Sequence, residues 1–467
     1  MKGGSLRTLL MVLSVLFTAC TMVTEGPPPA PREPPGPQGN PEGPDPRPGR
    51  EEGSPTARPS PLPAPRPDPV RYGRFSGEGP ALRLADEVRA LWVVRTTLTH
   101  PDTIRAMVRR AADAGFNTLL VQVRGRGDAY YLSRWEPRPE PVLRRGTGFD
   151  PLALVIREAH ARGLGVHAWV NAHLVGGVGS LPADPAHLIR ARPDLLAVPR
   201  ELARDLYGTD PFIPRYAEAL LRHAQENTDR VEGLYTAPSH PEVKEHVYSV
   251  WMDLAETYDL DGLHFDYIRY PNPDFDYSAA ALERFRAWVS PRMSPARLAG
   301  LERAYRSDPL AYVDSLPGPW AEFRRAQITD LVERIYHGVK KRKPDVVVSA
   351  AVFANASDAY ASRFQDWRGW LARGILDAVA PMAYTDDNVA FEEQIQEAIA
   401  AAGRDRVWAG IGVYRNTYRG TVDKIRIAEG LGTRGVVLFS YDWAVRQGPG
   451  AGGRTFLERV GAEMFRR

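Results

Sequence analysis

From residue 88 onward the chain alternates two kinds of hydrophobic pattern. Short apolar, β-prone runs occupy 90–96 (ALWVVRT), 117–125 (NTLLVQVRG), 164–172 (LGVHAWVNA), 261–269 (DGLHFDYIR), 345–354 (DVVVSAAVFA), 376–385 (LDAVAPMAYT), 406–414 (RVWAGIGVY) and 434–444 (RGVVLFSYDWA). Between them lie segments whose apolar residues recur every three to four positions, such as PDTIRAMVRRAADAG, DPLALVIREAHARG and PEVKEHVYSVWMDLAETY, several of which stop on glycine. Eight strands alternating with eight helices, closed by RTFLERVGAEMFRR, predict an α/β fold: a (β/α)8 TIM barrel with right-handed crossovers.

The spacing also locates chemistry. In this fold the active site lies at the C-terminal ends of the strands and on the loops that follow. Two of those loops are long, 172–240 after the third strand and 271–319 after the fourth, and loops of that length on that face build a groove or lid. In the fourth strand, LDGLHFDYIRYP, alternation puts His264 and Asp266 on one face and Leu263, Phe265 and Tyr267 on the other.

The N-terminus has a different pattern. Lys2 and Arg7 precede an apolar run from Leu9 to Phe17 and small residues ahead of Cys20, the only cysteine, which is the layout of a secretory signal. The cysteine's placement resembles a bacterial lipoprotein signal, which implies lipidation at Cys20; Thr21 after it favours the outer membrane over the inner. Residues 21–80 are dominated by Pro, Gly, Arg and Glu, a composition that stays extended and unpacked. At about 3.1 Å per residue such a tether reaches on the order of 100 Å. The expected organisation is a signal over 1–20, a disordered proline-rich linker over 21–80 and the barrel over 86–467.

Net charge is +3, too small to call for nucleic acid, and no polybasic tract argues for an anionic membrane surface. The strand ends collect Arg95, Gln122, Arg124, His167, Trp169, Asn171, His264, Asp266, Tyr384, Asp386, Tyr414, Asp442 and Trp443. Carboxyls, amides and aromatics at one rim suit a sugar: rings stack on pyranose faces, amides fix hydroxyls and carboxyls move protons at the glycosidic oxygen. We therefore expect Asp266 as the central catalytic carboxylate with Asp386 or Asp442 as its partner. His264 and Tyr384 would position it, and Arg95, Gln122, Arg124, His167, Trp169, Asn171, Tyr414 and Trp443 would bind substrate. Neither a cofactor nor a metal is expected. Asp387 alternatively caps the following helix, and Asp266 alternatively pairs with Arg95 or Arg269.

The segments RALWVVR, FDPLALVIREAHARGLGVHAWVNAH, HPEVKEHV, YDLDGLHFDYIRYP and MAY together resemble the glycosyl-hydrolase-like family ten. The resemblance implies action on bacterial wall polysaccharide, in particular peptidoglycan glycan strands stripped of stem peptides. Two positions depart from many members: Ala237–Pro238–Ser239 stands for an Asp–Pro–Gly, and Tyr267 for a second Asp after Asp266. DGLHFDYI also resembles the strand-four signature of family eighteen chitinases, but Ile268 occupies the place of their acid. The expected protein is an exported glycoside hydrolase, lipid-anchored at Cys20 and facing the periplasm. Two alternatives are a non-catalytic glycan-binding lipoprotein and a metal-dependent polysaccharide hydrolase or deacetylase using His167, His264 and Asp266.

Overall fold

The computed structural model describes residues 87–447 and 453–465. The signal segment with Cys20 and the proline-rich linker lie outside the described residues. Ten strands are present: β1 (Val88–Val93), β2 (Thr118–Arg124), β3 (Gly165–Asn171), β4 (Leu174–Gly176), β5 (Leu234–Tyr235), β6 (Gly262–Asp266), β7 (Val347–Phe353), β8 (Ala378–Met382), β9 (Trp408–Gly412) and β10 (Gly435–Phe439). Eight close into a parallel barrel in the order β1-β10-β9-β8-β7-β6-β3-β2, and each coincides with one of the eight apolar runs. β4 and β5 form a separate antiparallel pair inside the first long loop.

The strands' outer faces carry the main core. Leu263 and Phe265 of β6 point outward, and Phe265 stacks on Trp251 of the helix Pro241–Thr257 at 3.8 Å between ring centres. Helix starts follow the sequence signals, with Asp150 accepting from the Ala153 amide and His240 from the Glu242 amide, each ahead of a first-turn proline. The inner face holds a second apolar layer that includes Ala90, Trp92, Leu120, Val347, Ala380, Trp408 and Val437. His167 belongs to this interior. Its ring meets Trp408 edge-on at 5.6 Å, and it fits because position 262 is glycine; a Cβ there would lie 2.2 Å from the imidazole.

The two long loops pack on each other above the barrel's C-terminal rim. Ala203 from the first joins Tyr277, Phe285, Tyr312, Trp320 and Phe323 of the second and the helix after it in their own apolar cluster. Polar links reinforce it: the Tyr207 and Tyr305 hydroxyls are 2.7 Å apart, and Arg204 meets Asp308 at 2.9 Å. No helix among the described residues is long and apolar enough to cross a membrane.

Candidate active site

At the C-terminal mouth of the barrel lies a cavity of about 210 Å³. An aromatic wall is built from Trp92, Trp169, Phe353, Tyr384, Tyr414 and Phe439. Tyr384 stacks on Phe439 at 5.4 Å and meets Tyr414 edge-on at 6.0 Å, so these rings hold one another in place. Sequence reading passed over Phe439, the last residue of β10, and Arg126, beyond the end of β2; both line the cavity.

Asp266 ends β6 and faces the cavity with 9% of its side chain exposed. Three donors converge on it: the Trp169 indole N–H reaches Oδ2 at 3.1 Å, while the Tyr267 amide at 2.7 Å and the Arg269 guanidinium at 3.0 Å reach Oδ1. Trp169 thus lines the cavity and also orients the carboxylate.

A second carboxylate, Glu232, lines the same cavity. It comes from the first long loop, two residues before β5, and is as buried as Asp266. Arg269 bridges the two, with its other nitrogen 3.9 Å from Glu232 Oε1. The Tyr235 hydroxyl donates to Glu232 Oε2 at 2.6 Å, and burial, with the Glu232 charge added, raises that phenol's pKa well above the ordinary value. Arg269 is itself buried, yet the charge of Asp266 and the nearby phenols of Tyr267 and Tyr235 outweigh burial and raise its pKa.

Tyr267 departs from the alternation expected of a strand. Its backbone has φ +49°, in the left-handed region, just past the end of β6, and its side chain lines the cavity while still packing against the main core. There it packs against Arg269, whose guanidinium carbon is 4.1 Å from the ring centre.

Several expected site residues are placed elsewhere. Asp442 is half-buried and accepts from the Val94 amide at 2.9 Å and from the Thr97 hydroxyl, tying the segment after β1 to the chain beyond β10; desolvation raises its pKa. Asp386 does not line the cavity; its carbonyl accepts from Lys424, and Asp387 caps the helix Asn388–Ala402. Arg124 turns away from the mouth because the β2–β3 register shifts between Gln122 and Arg124, and it pairs with buried Glu136 at 2.7 and 2.6 Å. Asn171 binds the Gly125 carbonyl at 3.0 Å, and Trp443 stands behind Tyr414 at 6.0 Å.

His264 lies within the barrel. It accepts from the Trp92 indole at 3.2 Å on Nε2 and sits 2.9 Å from Ser349 Oγ on Nδ1, and burial holds its pKa well below the ordinary value. Both nitrogens are therefore engaged. Burial also pushes His167 down, to about 4. Of the expected binding residues Arg95, Gln122, Trp169, Tyr384 and Tyr414 do line the cavity.

The chain is similar to known proteins along most of the barrel. The family model described as Glycosyl hydrolase-like 10 matches residues 87–415. Glycosyl hydrolase DigH of Escherichia coli K12 is 25% identical over 287 residues, covering 58% of this chain and 55% of that protein. Glycosyl hydrolase YngK of Bacillus subtilis is 26% identical over 299 residues, covering 58% and 46%. The chain thus spans about half the length of the curated relatives it matches. Among solved structures, the PgaB (BpsB) glycoside hydrolase domain from Bordetella bronchiseptica superposes with a TM-score of 0.53 at 18% identity, over 76% of this chain and 95% of that one. That likeness concerns the barrel fold. With the family model spanning β1 through β9 and the strand-four carboxylate at the barrel mouth, the chain belongs to the glycosyl hydrolase-like 10 family.

Proposed function

We propose that this protein is a glycoside hydrolase that cuts bacterial cell-wall glycan, with Asp266 and Glu232 as its catalytic pair. The observation that carries the reading is the bridge from Arg269 to both carboxylates in an aromatic-lined cavity. A single guanidinium touching both groups keeps them on the scale at which paired carboxyls flank a glycosidic bond, about 5 to 9.5 Å. Donors on both oxygens of Asp266 suit an acceptor-only carboxylate, so Asp266 stabilises or attacks the anomeric carbon or activates water. Glu232, with a phenol donating to one oxygen and the other toward Arg269, acts in its protonated form as the acid that gives its proton to the leaving oxygen, and the carboxylate so formed takes one back from the water that completes hydrolysis.

The substrate part of the proposal is peptide-free peptidoglycan glycan. It is supported by the family, by the rim's aromatic wall and by the signal and tether of the sequence, which would anchor the barrel through lipid at Cys20 on the periplasmic side of the outer membrane. Incubation with purified sacculi, intact or amidase-treated, followed by mass spectrometry of the released material tests it. Muropeptide-free oligosaccharides from the treated sacculi are expected. Release from starch or cellulose alone would overturn the substrate, and bound glycan without new reducing ends would make the protein a lectin.

A further inference from the structure

The cavity holds more cationic groups than its carboxylates engage. Arg269 is committed to Asp266 and Glu232. Arg95 and Arg126 line the same space, and among the described residues neither has a carboxylate oxygen within 4.0 Å of its guanidinium. Their partners are neutral: Arg95 donates to Gln122 Oε1 at 2.8 Å and is hydrogen-bonded to the Tyr130 phenol, and Arg126 donates to the Gly125 carbonyl at 3.0 Å. Each guanidinium carries five N–H donors, so most remain available.

Both are held in place by the turn that follows β2. A Cβ at position 125 would lie 2.4 Å from Arg95 Cδ, so Arg95 crosses the chain only because Gly125 has no side chain. His187 Nε2 lies 2.7 Å from the Arg126 carbonyl, and Asp128 accepts from the Arg126 amide at 2.9 Å. Burial and the like charge of Arg95 both work against the charge on Arg126, and they outweigh the phenols of Tyr267 and Tyr235 and the carboxylate of Asp128, which favour it. Arginine stays protonated regardless, so an anion arriving there relieves that repulsion. Arg126 is also the wall shared with a second cleft of about 330 Å³, whose lining is mixed in charge, with Arg138 and His187 beside Asp128, Glu140 and Asp184. A linear polymer leaving the catalytic cavity on this side passes Arg126.

We infer that Arg95 and Arg126 form a subsite for a carboxylate borne by the sugar ring next to the scission point. The inference rests on the glycosidase reading above and deepens it. In wall glycan the carboxylate is the lactyl group of N-acetylmuramic acid, an anion only when no stem peptide is attached. An amide-linked peptide removes the charge and adds bulk, so the two arginines select peptide-free strands.

The test compares peptide-free strands with the same strands after reduction of the lactyl carboxylates to alcohols. Wild-type protein is expected to lose roughly tenfold to a hundredfold in KM on reduction, with kcat little changed, the range for charge-assisted hydrogen bonds. Arg126→Gln should show that loss on untreated strands and be indifferent to reduction, and Arg126→Lys should recover part of it. Equal wild-type kinetics on both glycans, or an Arg126→Gln loss of the same factor on both, overturns the subsite. The glycan arm uses unmodified protein and so does not depend on the variant folding. If wild-type protein cleaves neither glycan, the glycosidase reading falls, and calorimetric binding of the two glycans decides the subsite: at least tenfold preference for the carboxylate form supports it, equal affinity overturns it.

Discussion

Replacing Glu232 by Gln removes the proposed proton donor while keeping its shape. The Tyr235 hydroxyl, 2.6 Å from Oε2, retains an acceptor, so the structural loss is the difference between a charged and a neutral hydrogen bond, about 1 kcal/mol. The Arg269 contact is already at 3.9 Å and adds little. Melting should therefore drop by only about 2 °C for a domain of this size. Catalysis should fall much further, by about a hundredfold to ten-thousandfold in kcat/KM on polymer, the usual contribution of a positioned acid. The diagnostic assay pairs the polymer with an aryl glycoside whose leaving group departs without a proton. Loss on the polymer with near-normal release of the activated aglycone identifies the acid. Equal loss on both substrates would give Glu232 another role, and normal polymer cleavage by folded protein would remove it from the mechanism.

Asp266→Asn should lower cleavage by about three orders of magnitude or more, while circular dichroism and melting report a folded barrel; product release at the wild-type rate would exclude Asp266. Asp442→Ala leaves the Val94 amide and Thr97 hydroxyl without their acceptor, costing roughly 2–4 kcal/mol, so melting should fall while the activity of the folded fraction falls far less than for Asp266→Asn. Asp276 is buried, and despite hydrogen bonds from Val198 and Ser278 its pKa is pushed up from 3.8 to about 6. The native state then holds the proton more tightly than the unfolded chain, so this contribution to stability is complete below the unfolded value and lost as pH rises through about 6. Asp276→Asn should flatten that stretch, gaining about 2–3 kcal/mol relative to wild type between pH 4 and 8; parallel denaturation curves at the two pH values would refute it.

The barrel was legible because its strands and helices each carry a periodicity that survives in sequence, and Asp266 was legible because it ends a strand. Glu232 was not. It sits inside a loop of nearly seventy residues whose return to the barrel mouth is set by packing of β4 on β5 and by contacts with the second loop, none of which leaves a repeating pattern. Arg124 and Arg126 were exchanged in role by a register shift at the end of β2, and Tyr267 gained a place in the cavity wall, while keeping its core contact, at one left-handed residue. Asp442 looked like a catalytic carboxylate at a strand end, yet its two nearest donors belong to the segment after β1, more than 300 residues away in the chain. Local alternation rules cannot register such displacements of a single residue.

The origin of the two carboxylates in different parts of the fold has an evolutionary consequence. Asp266 is fixed to a barrel strand, and any change that moves it disturbs the closed sheet. Glu232 rides on an insertion with its own small sheet, joined to a second insertion through a separate apolar cluster. A descendant that shortened or exchanged that loop would lose the proposed proton donor and keep an intact barrel. On the proposed pairing, hydrolase and silent glycan receptor would be divided by a loop rather than by the barrel.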